Sequence, residues 1–316
     1  MSLSMNERAA ALVDEMAADA DALGIDVQTL DCGARVVDCG AHARGGLQAG
    51  LAFAAACMGG LGRIDPLPVT VGERTWPGLG VAVDQPAAAC LAAQYAGWKL
   101  EHDDFFAMAS GPGRALARAE DLFDELAWRE HAGRAVLCLE TRKPPPAEIV
   151  EKVARRCGIE PSAVTFLIAP TASTCGSVQI SARVVETALH KLHELGVDPA
   201  RIRSGWGCCP IAPVAKNDPV AIGRTNDAVL YGGTVHLWIE ADDEETAHLA
   251  HRLPSVASEA FGTPFGELLA AADWNFYDVD PMLFSPAAVM LTSTESGRAH
   301  YGGGLAPAVL ERSFTT

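Results

Sequence analysis

Short apolar, β-branched runs alternate along this chain with longer segments in which apolar residues recur every three or four positions. That alternation constrains the fold more than any other feature. Runs such as 135–140 (AVLCLE) and 164–169 (VTFLIA) are too short for helices, and Gly, Pro or charged residues bound them. Strands are expected at 35–39, 68–71, 79–83, 135–140, 164–169, 228–231 and 233–239. Helices are expected at 6–24, 46–58, 86–97, 114–127, 146–157, 177–195, 243–261 and 263–271. Such a mixture predicts an α/β (α+β) protein rather than a helical bundle.

The 316 residues suffice for two mixed helix/sheet lobes forming one unit, 1–316. A break is expected near 141–146, where Arg142 and Lys143 precede three successive prolines; the same stretch reads equally as a rigid turn leading into a helix. With 24 basic residues against 40 acidic, the net charge of −16 repels phosphate backbones and anionic lipid, so no nucleic-acid partner is expected. The apolar windows around 47–61 and 86–98 are shorter than the roughly 20 residues that span a bilayer, so no membrane span is expected. Nine cysteines, odd in number and not spaced as a disulfide framework, suit a reducing compartment, and the cytoplasm is expected. Cys32, Cys39 and His42 come nearest to a metal cluster but lack paired ligand spacing, so no metal site is expected.

The most informative segment is a strand at 164–169, a loop of small residues from Pro170 to Ser177, and then a long helix. On that helix Val178, Ala182, Val185, Leu189 and Leu192 form the core stripe, and Arg183, Glu186 and His190 line its flank. A carboxylate at the edge of a cleft acts as a general base where partial burial raises its pKa, while a neighbouring arginine holds it ionised. Spacing alone is equally met by an exposed ion pair worth a few tenths of a kcal/mol. Cys175, at the start of the helix, is an alternative nucleophile, since a helix N-terminus lowers a thiol pKa. Ser110-Gly111-Pro112-Gly113-Arg114 reads as a tight turn able to present backbone N–H groups to an anion. The run Ser204-Gly205-Trp206-Gly207-Cys208-Cys209-Pro210-Ile211-Ala212-Pro213 reads as an irregular binding loop. No Gly-x-Gly-x-x-Gly turn or Walker A loop is present, which leaves dinucleotide and nucleoside-triphosphate chemistry unsupported.

Several blocks together resemble the methenyltetrahydromethanopterin cyclohydrolase family. They are Ser110-Gly111-Pro112 with Arg114-Ala115; Gly176-Ser177-Val178-Gln179 leading to Ala182-Arg183-Val184-Val185-Glu186-Thr187; and Pro210-Ile211-Ala212-Pro213. Further along are Arg224-Thr225-Asn226-Asp227-Ala228 with Tyr231-Gly232-Gly233, and Phe276-Tyr277-Asp278-Val279-Asp280-Pro281 with Leu283-Phe284-Ser285-Pro286-Ala287. The chain departs from the family pattern at Gly113 and at Cys208-Cys209, which bears on loop packing and the pterin's tail.

The resemblance implies a cytoplasmic homotrimer without cofactor or metal, with a substrate cleft between two lobes. It implies a cyclic amidine hydrolase interconverting the N5,N10-methenyl and N5-formyl forms of tetrahydromethanopterin. Arg183 and Glu186 take the catalytic positions: Glu186 relays a proton from water to N10, and Arg183 orients it. Ser110, Arg114, Gln179, Asn226 and Asp227 are candidate anchors for the pterin, and Tyr231, Phe276 and Tyr277 candidate walls. Two rivals stay open: a thiol hydrolase using Cys175, and a pterin-binding relative without activity.

Overall fold

The computed structural model describes residues 3–126, 128–275 and 278–315. The chain divides into two compact units, Met1–Arg63 with Ala88–Gln179 and Ile64–Ala87 with Ile180–Thr316. Among the described residues each unit has one six-stranded mixed sheet, so the chain is α/β as expected.

In the first unit the strands are β1 (Asp26–Thr29), β2 (Arg35–Asp38), β5 (Trp98–His102), β6 (Phe105–Ser110), β7 (Ala135–Glu140) and β8 (Val164–Ala169), in the order β1-β2-β8-β7-β6-β5. The central strands β2, β8 and β7 run parallel. Both their faces are buried. Val36, Leu137, Leu139, Phe166 and Ile168 pack with Ile149, Val150 and Val153 of helix α6 (Ala147–Cys157). Val37, Val136, Cys138 and Leu167 pack with Val13 of α1 (Met5–Ala18) and Phe53 of α3 (Leu47–Cys57). A strand covered on both sides needs apolar residues at consecutive positions, which is why β7 and β8 occur where the sequence expects them. The proline-rich stretch at 141–146 lies inside this unit and connects β7 to α6.

Helix expected at 114–127 is instead two short pieces, α4 (Gly113–Ala117) and α5 (Leu122–Glu125), because Arg118 adopts a left-handed conformation (φ 46°). The segment expected as helix at 86–97 is a π-helix over Ala87–Gln94.

The second unit carries β3 (Gly62–Val71), β4 (Arg74–Val83), β9 (Ile202–Pro210), β10 (Thr234–Ile239), β11 (Ala288–Ser293) and β12 (Ala299–Gly303), in the order β12-β11-β10-β9-β4-β3. Here the sequence reading needs two corrections. The expected binding loop at 204–213 is largely β9, which pairs with both β4 and β10. Its glycines serve close packing: a Cβ on Gly205 would lie 2.7 Å from Val185 Cγ1, and one on Gly207 2.8 Å from Val184 Cγ1. Cys208 and Cys209 therefore belong to a central strand. The strand expected at 228–231 is the last turn of α9 (Asp218–Gly232). A four-residue apolar run does not separate a buried helix turn from a strand, and the helix is set upstream, where the Asn217 side chain accepts from Val220 N at 3.0 Å.

Candidate active site

Glu186 owes its position to a break in what reads as one long helix. The segment 174–194 is two helices, α7 (Thr174–Ser181) and α8 (Val184–Glu194), joined at Ala182-Arg183. At the joint Arg183 N bonds Ile180 O at 2.9 Å, and the Ser181 hydroxyl donates to Pro210 O at 2.9 Å, tying the end of α7 to the end of β9. Thr187 donates both its N–H (2.8 Å) and its hydroxyl (2.9 Å) to Arg183 O, which starts α8. Glu186 thus falls in the first turn of α8, where the partial positive charge of a helix N-terminus favours a carboxylate.

Arg183 Nη1 lies 3.6 Å from Glu186 Oε2, an i, i+3 ion pair just beyond hydrogen-bond length. Glu186 is 6% exposed, so the carboxylate is not in bulk solvent and the weak surface pair is not what forms. The five residues of the expected stripe are all buried. His190, the third polar residue of the flank, has Nε2 3.8 Å from Glu194 Oε1.

The other candidates fall in two groups. Ser110, Arg114 and Gln179 belong to the first unit and are buried. The turn after Ser110 is not an anion cradle. Gly111 N bonds Ala93 O (2.7 Å), Arg114 N bonds Gly111 O (3.2 Å) and Ala115 N bonds Pro112 O (3.1 Å), so these amides are spent within the fold. Gly111 has φ 99°, and a Cβ there would stand 2.9 Å from Val136 O. The Arg114 guanidinium is wholly buried: it makes a two-pronged ion pair with Glu120, donates to Leu91 O and Ala93 O (3.2 Å each), and lies against Tyr95 and Phe123. It holds the end of the π-helix.

Asn226, Asp227 and Tyr231 share α9. Asn226 Nδ2 donates to Ile222 O (2.8 Å), a bond internal to the helix. Asp227, 1% exposed, accepts from Phe265 N at 2.8 Å, and burial pushes its carboxyl up to about 7. Tyr231 is a core aromatic. Its hydroxyl donates to Thr263 O (2.6 Å), its ring meets Phe261 at 5.3 Å, and burial pushes the phenol up to about 12. Phe276 and Tyr277 lie outside the described residues.

Cys175 has no accessible surface, and burial raises its thiol well above the usual value. That is the reverse of the depression expected of a helix start, because desolvation outweighs the dipole. Cys32, Cys39 and His42 do not form a metal cluster; among the described residues no three His, Cys, Asp or Glu side chains converge as ligands.

Among the buried charges that escape the sequence reading, two are held by backbone groups. Asp38, at the end of β2, accepts from the N–H groups of Gly40 (2.9 Å), Ala41 (2.6 Å), His42 (2.8 Å) and Ala43 (3.2 Å). Burial opposes its ionisation, but the four donors outweigh it and hold the carboxyl below its usual value. Lys191 of α8 is 1% exposed and donates to Pro254 O (3.0 Å) and Met282 O (2.5 Å). An aspartate ending an apolar strand before Cys-Gly-Ala-His is a faint signal for the first; nothing local marks the second.

A family model described as Cyclohydrolase (MCH) matches residues 4–314. The chain is 49% identical over 273 residues to methenyltetrahydromethanopterin cyclohydrolase of Xanthobacter autotrophicus, covering 86% of this chain and 81% of that protein. It is 46% identical over 316 residues to the protein of the same name from Methylobacterium sp. (strain 4-46), covering 98% and 97%. The methenyltetrahydromethanopterin cyclohydrolase of Methanococcoides burtonii is 38% identical over 314 residues, covering 99% and 98%. A match over nearly the whole length, with relatives at these identities, means that the chain belongs to the cyclohydrolase (MCH) family.

Proposed function

We propose that this chain interconverts N5,N10-methenyl- and N5-formyl-tetrahydromethanopterin, with Glu186 as the proton relay and Arg183 beside it as the orienting group. The methenyl carbon sits in an amidinium cation, so a water that attacks it must shed a proton, and N10 must gain one to leave. Glu186 accepts a proton from the attacking water and delivers it to N10 as the C–N10 bond breaks. The second water proton is released as the hydroxyl collapses to the formyl carbonyl. The carboxylate also favours the cationic substrate, and Arg183 fixes carboxylate and water in line. The electrophile already carries the charge that a Lewis acid would induce, so the reaction calls for neither metal nor cofactor.

The observation that carries this reading is the nearly enclosed Arg183–Glu186 pair in the first turn of α8. No helix among the described residues is long and apolar enough to cross a membrane. The setting we assign is the cytoplasm, and the assembly a homotrimer whose subunits each hold a substrate cleft, after the family pattern. Loss of the methenyl chromophore, followed by absorbance with the methenyl forms of tetrahydromethanopterin and of tetrahydrofolate, tests it. Conversion of the first is expected without added metal or nucleotide. Preference for the folate contradicts the substrate class, and binding without conversion contradicts the activity.

A further inference from the structure

The helices of the second unit frame a cavity of about 220 Å³, lined from α9, the start of α11 (Phe265–Ala271) and the end of α12 (Pro307–Thr315). α9 and α11 approach closely beside it because glycine faces glycine: a Cβ on Gly223 would stand 3.1 Å from Gly266 Cα.

Two polar atoms of the lining residues are left over by the fold. Arg224 Nε and Asp227 Oδ2 are shut off from bulk solvent and have no hydrogen-bond partner among the described residues. Asp227 is only 1% exposed, and Phe265 N takes its other oxygen. The Ser313 hydroxyl favours the ionised carboxylate but does not bond Oδ2. A buried donor or acceptor left unpaired costs free energy, so two together call for an explanation. Arg224 and Asp227 stand three positions apart on α9 and therefore on one face, a donor beside an acceptor.

Charge and shape select what would satisfy them. The other charged lining residues, Glu267 and Arg312, are paired with each other at 3.1 and 3.2 Å. The lining thus carries two charges of each sign, which favours a neutral ligand over an ion of either sign. A neutral group that accepts from Nε and donates to Oδ2 has its acceptor and donor on adjacent atoms, as in the –CO–NH– edge of a lactam. Pro219, Val220 and Pro264 give the cavity apolar walls, and Trp274, 56% exposed, offers a flat one. Trp274 has φ 64° and follows Asp273 at φ 49°, with Trp274 N bonded to Leu269 O at 2.9 Å. A left-handed backbone is an outlier for so bulky a residue, and such conformations cluster at ligand sites. The volume equals that of about seven waters and falls below the roughly 300–1,000 Å³ of pockets for drug-sized molecules. It suits one or two fused rings and not a nucleotide.

We propose that this cavity binds a neutral one- or two-ring heterocycle by its lactam edge, Arg224 Nε donating to the carbonyl and Asp227 Oδ2 accepting from the N–H, with Trp274 against the ring. The pyrimidine ring of a pterin carries such an edge, and so do free purine and pyrimidine bases. The site does not depend on the proton relay at Glu186.

The test titrates the full chain with 2-quinolone, a two-ring lactam, and with N-methyl-2-quinolone, which keeps the carbonyl but lacks the N–H. The readout is ligand NMR line width at pH 8, above the value of about 7 to which burial raises Asp227. Wild type is expected to bind 2-quinolone saturably with a Kd of about 1 mM or tighter, and the N-methyl compound at least about tenfold more weakly. In Asp227→Asn the amide oxygen must serve Phe265 N, so the NH2 group replaces the acceptor, and 2-quinolone affinity should fall at least about tenfold. Arg224→Met, at a partly exposed position, should lose a similar factor and serves if the first variant fails to fold. Glu186→Gln should bind 2-quinolone as wild type does. In that variant, displacement of 2-quinolone by N5-formyl-tetrahydromethanopterin assigns the cavity to the substrate's own pterin ring, and binding of both together assigns it to a separate heterocycle. No saturable binding, equal affinity for the two quinolones, unchanged affinity in the folded Asp227 and Arg224 variants, or loss in Glu186→Gln overturns the proposal. Failure of methenyl hydrolysis would overturn the relay and leave this binding as it is.

Discussion

Lys191 offers a test with a defined sign. Its ammonium is buried in α8 with two carbonyl partners, Pro254 O and Met282 O. Burial depresses its pKa from 10.5 to about 8; Asp280 opposes the shift and Arg252 adds to it. A lysine whose folded pKa lies below the unfolded one costs stability wherever both states are protonated, that is, below about pH 8. Between about 8 and 10.5 the unfolded chain holds a proton that the folded chain lacks, so stability rises with pH through that window. At 1.36 kcal/mol per unit the rise attributable to Lys191 is roughly 3 kcal/mol. Lys191→Met removes the titrating group and leaves the two carbonyls unpaired. It is expected to be destabilised by about 2–4 kcal/mol at pH 10.5, and by much less at pH 7.5, where the desolvation cost disappears with the charge. Equilibrium urea titrations of both proteins from pH 7.5 to 10.5 measure this, other groups cancelling in the difference. Parallel stability curves would refute the reasoning.

Asp227 carries the opposite sign. Its folded pKa is raised by burial from 3.8 to about 7, so its contribution is complete below about pH 4 and lost as pH rises towards 7. Asp227→Asn should gain on wild type by about 4 kcal/mol between pH 4 and 8 in the same titration, and an unchanged difference contradicts it. Asp38→Asn leaves an NH2 group facing backbone donors that an ionised oxygen accepted; a loss of about 2–4 kcal/mol at pH 7 is expected, and thermal unfolding reads it. Gly207→Ala places a methyl 2.8 Å from Val184 Cγ1 and should cost about 1–3 kcal/mol while displacing the start of α8, so turnover should fall as well. Full stability with full activity would mean that α8 is not held against β9 as described.

How far the fold can be read from the sequence depends on what each element packs against. β7 and β8 are legible because two covered faces leave no room for polar residues. β9 is not, since Gly205, Gly207 and Pro210 look like loop residues until α8 is seen lying against the two glycines. The joint between α7 and α8 carries no glycine or proline, because it is set by contacts with distant residues such as Pro210. Within the site, the Arg183–Glu186 pair is a local i, i+3 relation and can be read directly. Arg114, Asp227 and Tyr231 look like ligand groups in isolation; only the fold brings up Glu120 and Thr263 to take the polar atoms of Arg114 and Tyr231, and Phe265 N to take one carboxylate oxygen of Asp227. Ionisable residues in a sequence are therefore candidates until their internal partners are known.

The central claim is that the Glu186 carboxylate moves the proton, and Glu186→Gln tests it with little change of shape. Initial rates of methenyl hydrolysis should fall by roughly 10³-fold, in line with the loss of a general acid–base group, while the urea midpoint stays close to that of wild type. Turnover at the wild-type rate by a folded Glu186→Gln protein would contradict the account.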